Sequence, residues 1–359
     1  MPQRYQRDKC RSLVAAFAVV AGLLSFGATP VKIVFDTDMV EDYDDVGALA
    51  ALHALADEGR CEILATVTCT RGNSSVAAVE VINAFYGRAD IPVGCAKGVG
   101  VEGTTKGRAN MDAHRKYMRL AQDYAKFVRH ANSDDAPDAN AVYRKVLSAA
   151  PDGSVTICSV GFLTNLRRLL ETQADEISPL AGVELVSRKV KALYAMAGAY
   201  PQGCEYNVQW DAPSARIVFS RWPTPIFISD FHLGRSIYSG RKVSESDYRY
   251  PNPVKDIFRR MLPSRAATHN PGCWDREEGG HSSWDPVTVL AAVLGPTPCF
   301  TVTHGRFTIE ESGRNTWHAD AAAAGGVLGC ASSGGHSGHE IGRMLDDLIA
   351  RQPKSAWGN

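Results

Sequence analysis

Apolar runs alternate with helical patterns along most of this chain, and that alternation restricts the fold more than any other feature. "VKIVFD" (31–36) reads as a strand and "DDVGALAALHALADE" (44–58) as a helix. "EILATVTCT" (62–70) and "SVAAVEVINAFYG" (75–87) repeat the pair, as do "SVTICSV" (154–160) and "LTNLRRLLETQ" (163–173). "KALYAMAG" (191–198), a helix from about Ala212, and "TPIFIS" (224–229) continue the series. Strands that alternate with helices predict an α/β fold with a mostly parallel central sheet, Rossmann-like, covered by helices on both faces. Such sheets bind ligands beyond the carboxyl ends of their strands.

Two stretches break the rhythm. Lys97 to Asn140 is polar, with a helix expected around "AHRKYMRLAQDYAKFVRH", and it reads either as a flap beside the site or as a solvated insertion. Arg241 to Ser283 is rich in Pro, Gly and charge and reads as irregular. After it, "DPVTVLAAVLG" (285–295) predicts a buried helix, "FTVTHGRFTIEESGRNTW" (300–317) a hairpin, and "HEIGRMLDDLIARQ" (339–352) an amphipathic terminal helix. No repeat or linker divides the chain, so one domain is expected over 29–359.

The first residues differ from the rest. Arg4, Arg7, Lys9 and Arg11 precede the apolar "LVAAFAVVAGLLSF", and small residues follow at Ser25, Gly27 and Ala28. This is the layout of a signal peptide over 1–28, cleaved after Gly27 or Ala28, and it implies an exported protein. An uncleaved anchor is the alternative, but the apolar run is shorter than the roughly 20 residues of a spanning helix. The 39 basic and 39 acidic side chains cancel, and no basic patch stands out, so a nucleic-acid partner has no electrostatic support.

Export bears on the cysteines. Cys10 leaves with the leader, and Cys61, Cys69, Cys95, Cys158, Cys204, Cys273, Cys299 and Cys330 remain. No C-x-x-C spacing supports a zinc or thioredoxin-like site. Cys69 and Cys158 lie in strand-like runs and read as buried thiols. One or two disulfides among the others are open in an oxidising compartment.

The turn after the first strand carries the chemistry. "DTDMVEDYDD", Asp36 to Asp45, holds five aspartates and a glutamate. The following helix starts near Asp44 or Asp45, so a capping role accounts for one carboxylate only. The others repel one another unless a cation neutralises them, and an all-oxygen set favours Ca²⁺ or Mg²⁺ over zinc.

Two enzyme families open on such a turn. "IVFDTDMV" resembles the opening of haloacid-dehalogenase-type phosphatases, which would make Asp36 a nucleophile, Asp38 an acid/base and Mg²⁺ the ion. "DTDMVEDYDD" also resembles the D-T-D-M-x-x-D-x-D-D form of the nucleoside hydrolase family, with Val40 and Glu41 where Gly-Asn is common. Later blocks favour the second: Gly72 and Asn73 in "TRGNSS", "VGFLTNLRRLL" after the third run, "AMAGAYPQGCEYN", and "HSSWDPVTVLAAV".

The resemblance implies hydrolysis of the N-glycosidic bond of a ribonucleoside or related N-riboside, as in purine or pyrimidine salvage. By the same resemblance, Asp38, Asp45, Asp285 and the Val160 carbonyl would hold Ca²⁺, with Mg²⁺ the alternative. Asp44 is the candidate general base and Asp42 its rival. Asn73, Glu205, Asn207 and Met196 would meet the substrate, and Asp36 would support the cluster. Trp284 stands where inosine-uridine-preferring members carry a histidine. An indole can stack on a base but cannot act as an acid. His281 and His232 are the nearby candidates for that role.

Other readings remain. An exported nucleoside- or sugar-binding protein, with Trp284 as its platform, is the non-enzymatic alternative, although the full carboxylate set favours an enzyme. "GVGVEG" (98–103) and "SSGGHSGHE" (332–340) read as loop glycines rather than phosphate or metal sites. Relatives of this fold often form dimers or tetramers, so a homo-oligomer is expected by analogy.

Overall fold

A computed structural model describes residues 29–39, 42–70, 73–98, 108–268, 274–275, 280–297, 299–330 and 337–354. The leader expected over 1–28, Val40, Glu41, Gly72, most of "GVGVEG", Cys273 and 331–336 lie outside the described residues.

The strands are β1 (Val31–Thr37), β2 (Cys61–Thr68), β3 (Val93–Cys95), β4 (Val155–Ser159), β5 (Val190–Met196), β6 (Gln202–Cys204), β7 (Ile226–Ser229), β8 (Tyr238–Ser239), β9 (Trp274–Asp275), β10 (Gly280–Ser282), β11 (Phe300–Ile309), β12 (Arg314–Ala319) and β13 (Gly326–Cys330). The main sheet runs β3-β2-β1-β4-β5-β7-β13-β11-β12-β6. It is parallel from β3 to β13 and antiparallel from β13 to β6. The expected α/β fold with a mostly parallel, helix-flanked sheet is therefore present.

Alternation along each strand divides the core in two. Ile33 and Phe35 of β1 face a layer containing helices Asp44–Asp57, Trp284–Leu294 and Gly338–Ile349. Val34 faces the opposite layer, built on helices Ala139–Ala149, Thr164–Glu171 and Gly182–Lys189. Both faces are buried, so the strands read as apolar runs rather than as alternating sequence. The period of two also sends Asp36 and Thr37 to opposite faces of the sheet.

Some expectations change. The hairpin forms, but it does not stand apart: β11 pairs with β13, and β12 takes β6 as the sheet's last strand. The helix in the polar insertion begins earlier than expected, at Arg108, and ends at Asp123. The stretch 241–283 is less irregular than its composition suggests. It holds the helix Pro253–Thr268 and, with β8, a small antiparallel sheet in the order β8-β10-β9. Proline opens that helix at a position where its missing N–H costs nothing. Cys61, Cys69, Cys95, Cys158, Cys204, Cys299 and Cys330 are all free thiols, so among the described residues no disulfide forms. Cys69 and Cys158 are buried, as expected.

Candidate active site

The carboxyl ends of β1, β4 and β5 bring the acidic turn together with the loop after β4 and the segment around Glu205. The helix Asp44–Asp57 is capped at its start by Tyr43, whose side chain makes no capping bond. Neither Asp44 nor Asp45 is the cap. Both sit in the first helical turn, where the positive end of the helix favours negative charge. The helix Trp284–Leu294 begins beside it and presents Asp285 from its own first turn. Asp44 Oδ2 accepts the Asp285 backbone N–H at 3.1 Å, joining the two helix starts.

One carboxylate oxygen from each of Asp44, Asp45 and Asp285 lies within 4.8 Å of the others, and all three residues are buried. Burial, then repulsion from Asp44, Asp45, Asp38 and Asp42, holds the Asp285 carboxyl well above the usual range. Asp38 is buried as well, close enough to raise Asp285, but it is not one of the three. The rival base Asp42 is only half-buried, and its Oδ1 is turned back onto the Tyr43 N–H at 2.7 Å. The Thr37 hydroxyl, which the sequence reading passed over, donates to Asp45 Oδ1 and accepts the Met39 N–H at 3.0 Å.

Such a set suits a hard cation. Three buried carboxylates that crowd negative charge around Asp285 are what a divalent ion relieves, and among the described residues no nitrogen or sulfur donor joins the cluster.

Asp36 points away from this cluster, onto the other face. Its Oδ2 accepts the Tyr143 hydroxyl at 2.8 Å and its Oδ1 accepts Asn165 Nδ2 at 3.1 Å. Burial pushes its carboxyl up to about 7 even though both bonds oppose the shift. Asn165 was visible in "LTN" without an assigned role. Tyr143 left no signal, because it lies 107 positions from its partner.

Val160 follows β4 and is buried. Its carbonyl accepts Asn207 Nδ2 at 3.2 Å, and the same amide reaches the Met196 carbonyl at 3.2 Å. The structure thus brings together Val160, Met196 and Asn207. Glu205 is buried nearby as the cap of the short helix Tyr206–Trp210. It accepts the N–H groups of Asn207 (2.8 Å), Gly198 (3.0 Å) and Val208 (3.2 Å). Capping and turn bonding therefore engage both its oxygens, and burial raises its carboxyl to about 7. Asn73 opens the helix Asn73–Phe85 after β2.

Trp284 is partly buried and anchored rather than loose. Its Nε1 donates to the Phe231 carbonyl at 2.9 Å, and its ring stacks on Phe231 at 5.7 Å. His281 is buried between Tyr43 (ring centroids 4.7 Å) and Trp284 (5.5 Å), and its Nδ1 lies 3.0 Å from the Ser282 carbonyl. It therefore neighbours the residues that precede Asp44 and Asp285. His232 lies exposed on the helix Phe231–Arg235. The polar insertion also touches the site: the Tyr117 hydroxyl donates to the Asp42 carbonyl at 2.7 Å.

Buried carboxylates at two helix starts, beside the carboxyl ends of the strands, stand where α/β enzymes bind their ligands. The family model described as inosine-uridine preferring nucleoside hydrolase matches residues 33–343. The chain belongs to this family and is a hydrolase acting on N-glycosyl bonds. A search of curated protein sequences finds no match to it. Among solved structures, a plant nucleoside hydrolase superposes with a TM-score of 0.62 at 18% identity, over 89% of this chain and 99% of that one. A purine-preferring ribonucleoside hydrolase from Gardnerella vaginalis gives 0.61 at 17% identity, covering 89% and 97%. The type III effector protein XopQ, solved with adenosine diphosphate ribose, gives 0.61 at 15% identity, covering 89% and 94%. At these identities the likeness is one of fold.

Proposed function

We propose that this chain is a Ca²⁺-dependent ribonucleoside hydrolase, exported after removal of residues 1–28, that releases a free base and ribose. The observation that carries the reading is the buried cluster of Asp44, Asp45 and Asp285 at the meeting of two helix starts. Ca²⁺ accepts six to eight oxygens in flexible geometry, whereas Mg²⁺ demands a stricter octahedron, so a carboxylate-rich cluster suits Ca²⁺ better. When bound, the ion would offset the buried charge and acidify water at the site.

The remaining roles belong to side chains of the chain. Cleavage passes through an oxocarbenium-like state, so it needs a base for water, groups on the ribose, and a donor for the departing ring. Asn207 and Asn73 bind ribose hydroxyls. Glu205 holds the Asn207 segment in place through its three backbone bonds and faces the sugar with its remaining lone pairs. His281 and Trp284 line the base side.

Two assignments of the base compete. In the first, Asp44 takes the proton from water, while Asp38, Asp45, Asp285 and the Val160 carbonyl serve the ion. The tight grouping of Asp44 with Asp45 and Asp285 favours a second, in which Asp44 is a ligand and Asp38, outside the three, is the base.

Ribose release from a nucleoside panel, measured as reducing sugar with Ca²⁺, Mg²⁺ or chelator, tests the reading. Asp38→Asn and Asp44→Asn are compared beside it by calorimetric Ca²⁺ titration. The variant of the base keeps Ca²⁺ affinity and loses about 10²-fold or more in kcat, while the variant of a ligand loses Ca²⁺ binding. Saturable nucleoside binding with no ribose release would overturn the proposal.

A further inference from the structure

We propose that Tyr143 is a positioning residue for the acidic turn, acting through Asp36, which its hydroxyl holds from the opposite face of the sheet. The proposal rests on the Ca²⁺-dependent reading above.

Asp36 is fully buried, and among the described residues it has two side-chain donors. Tyr143 gives its hydroxyl to Oδ2 at 2.8 Å. Asn165 Nδ2 lies 3.1 Å from Oδ1 and 3.3 Å from Oδ2. Ser159 stands opposite Asp36 in the β1–β4 register, yet its buried hydroxyl makes no hydrogen bond. The two donors come from different helices, Ala139–Ala149 and Thr164–Glu171. Asn165 also donates to the Thr68 carbonyl at 3.1 Å, so β1 and β2 end on one fixed side chain.

The Asp36 main chain is held too, its carbonyl accepting the Val160 N–H at 2.7 Å. The next residue, Thr37, faces the other way and binds Asp45. A stiff peptide separates the two side chains, because a planar amide leaves only φ and ψ to turn. A displacement of the Asp36 main chain therefore moves Thr37 with it, and through Thr37 a member of the carboxylate cluster. Side chains behind a metal site act in this manner, and their loss costs about 10- to 100-fold in affinity or activity.

The helix that carries Tyr143 is braced from its far side. Arg144, buried beside it, donates from Nε and Nη2 to Asp175 at 2.8 and 2.7 Å and from Nη1 to Thr172 at 2.9 Å. It also reaches the Ser178 carbonyl at 3.0 Å. Adjacent residues thus separate two tasks: Arg144 ties the helix to the loop behind it, and Tyr143 holds Asp36.

The test is Ca²⁺ titration calorimetry on Tyr143→Phe, Arg144→Met and wild type, with melting temperature and kcat measured on each. Tyr143→Phe is expected to weaken Ca²⁺ binding about tenfold, with kcat falling more than KM rises. Arg144→Met is expected to lower the melting temperature while Ca²⁺ affinity stays within about twofold of wild type. In an Asp36→Asn background, Tyr143→Phe is expected to add about twofold or less, because the hydroxyl acts on that carboxylate. A folded Tyr143→Phe protein with wild-type Ca²⁺ affinity overturns the proposal, as does equal loss in both single variants. If Tyr143→Phe does not fold, Asp36→Asn is compared with wild type, and unchanged Ca²⁺ affinity overturns the proposal. Wild-type protein that binds no Ca²⁺ refutes instead the reading on which it rests.

Discussion

Gly161→Ala is the most direct test of whether Asp38 belongs to the reacting constellation. A β-carbon at Gly161 would lie 2.5 Å from the Asp38 nitrogen, 2.8 Å from Asp38 Cβ and 2.8 Å from the Cys69 sulfur. The closest atom is backbone, so no flexible tip can turn aside, and real Cβ contacts under 3.0 Å essentially never occur. The Asp38 peptide must therefore retreat by at least about half an ångström, at an overpacking cost of about 1–3 kcal/mol. A misplacement of about 1 Å costs about 10²-fold in rate, so half of that implies roughly a tenfold loss in kcat. The assay pairs ribose release at saturating Ca²⁺ with thermal unfolding, where each kcal/mol lowers the melting temperature by about 2–4 °C. Loss of stability with unchanged kcat/KM would show that Asp38 is packed beside Gly161 without taking part in the reaction. Wild-type stability and activity together would refute the steric argument itself.

Other predictions follow from the site. His281→Gln is expected to slow inosine cleavage about 10²-fold or more while leaving p-nitrophenyl riboside within about threefold, since that leaving group needs no proton. Equal losses on the two substrates would reduce His281 to packing between Tyr43 and Trp284. Asp36 and Glu205, both raised to about 7 by burial, favour their protonated forms in the folded state. Their contribution is complete below the unfolded carboxyl values and is lost as pH rises from about 4 to about 7. Chelator-treated protein is thus expected to melt lower at pH 8 than at pH 5.5. Added Ca²⁺ should raise the melting temperature at pH 8, because it offsets the negative charge crowded around Asp285, and Ca²⁺-independent melting at both pH values would contradict the cluster as an ion site.

The sequence shows the parallel half of the fold more clearly than the antiparallel half, for a physical reason. β1, β2, β4, β5 and β7 are covered on both faces and leave apolar runs between helices. β6 is short and polar, and its role as the last strand depends on β12, which follows it by more than a hundred residues. The site divides in a similar way. Asp36 to Asp45 show their chemistry because like charges in one turn need an explanation, whereas Asp285, far along the chain, is reached only through the resemblance of its block. Tyr143, Asn165 and Tyr117 show none, since a hydroxyl or amide acquires its meaning only from a partner brought by the fold. Glu205 shows the reverse case, where a residue suggested for the sugar also carries a structural load as a helix cap.

The bond between Asp44 and the Asp285 amide spans 241 positions, most of the length of the domain. A nascent or refolding chain can close it only after the helix Trp284–Leu294 has docked on the helix Asp44–Asp57, a contact between elements far apart in the chain. The cluster is thus expected to assemble late in folding. In kinetic terms an ion held there as proposed would be a latch: Ca²⁺ is expected to slow unfolding and leave the rate of folding nearly unchanged, and so to govern how long a finished molecule lasts.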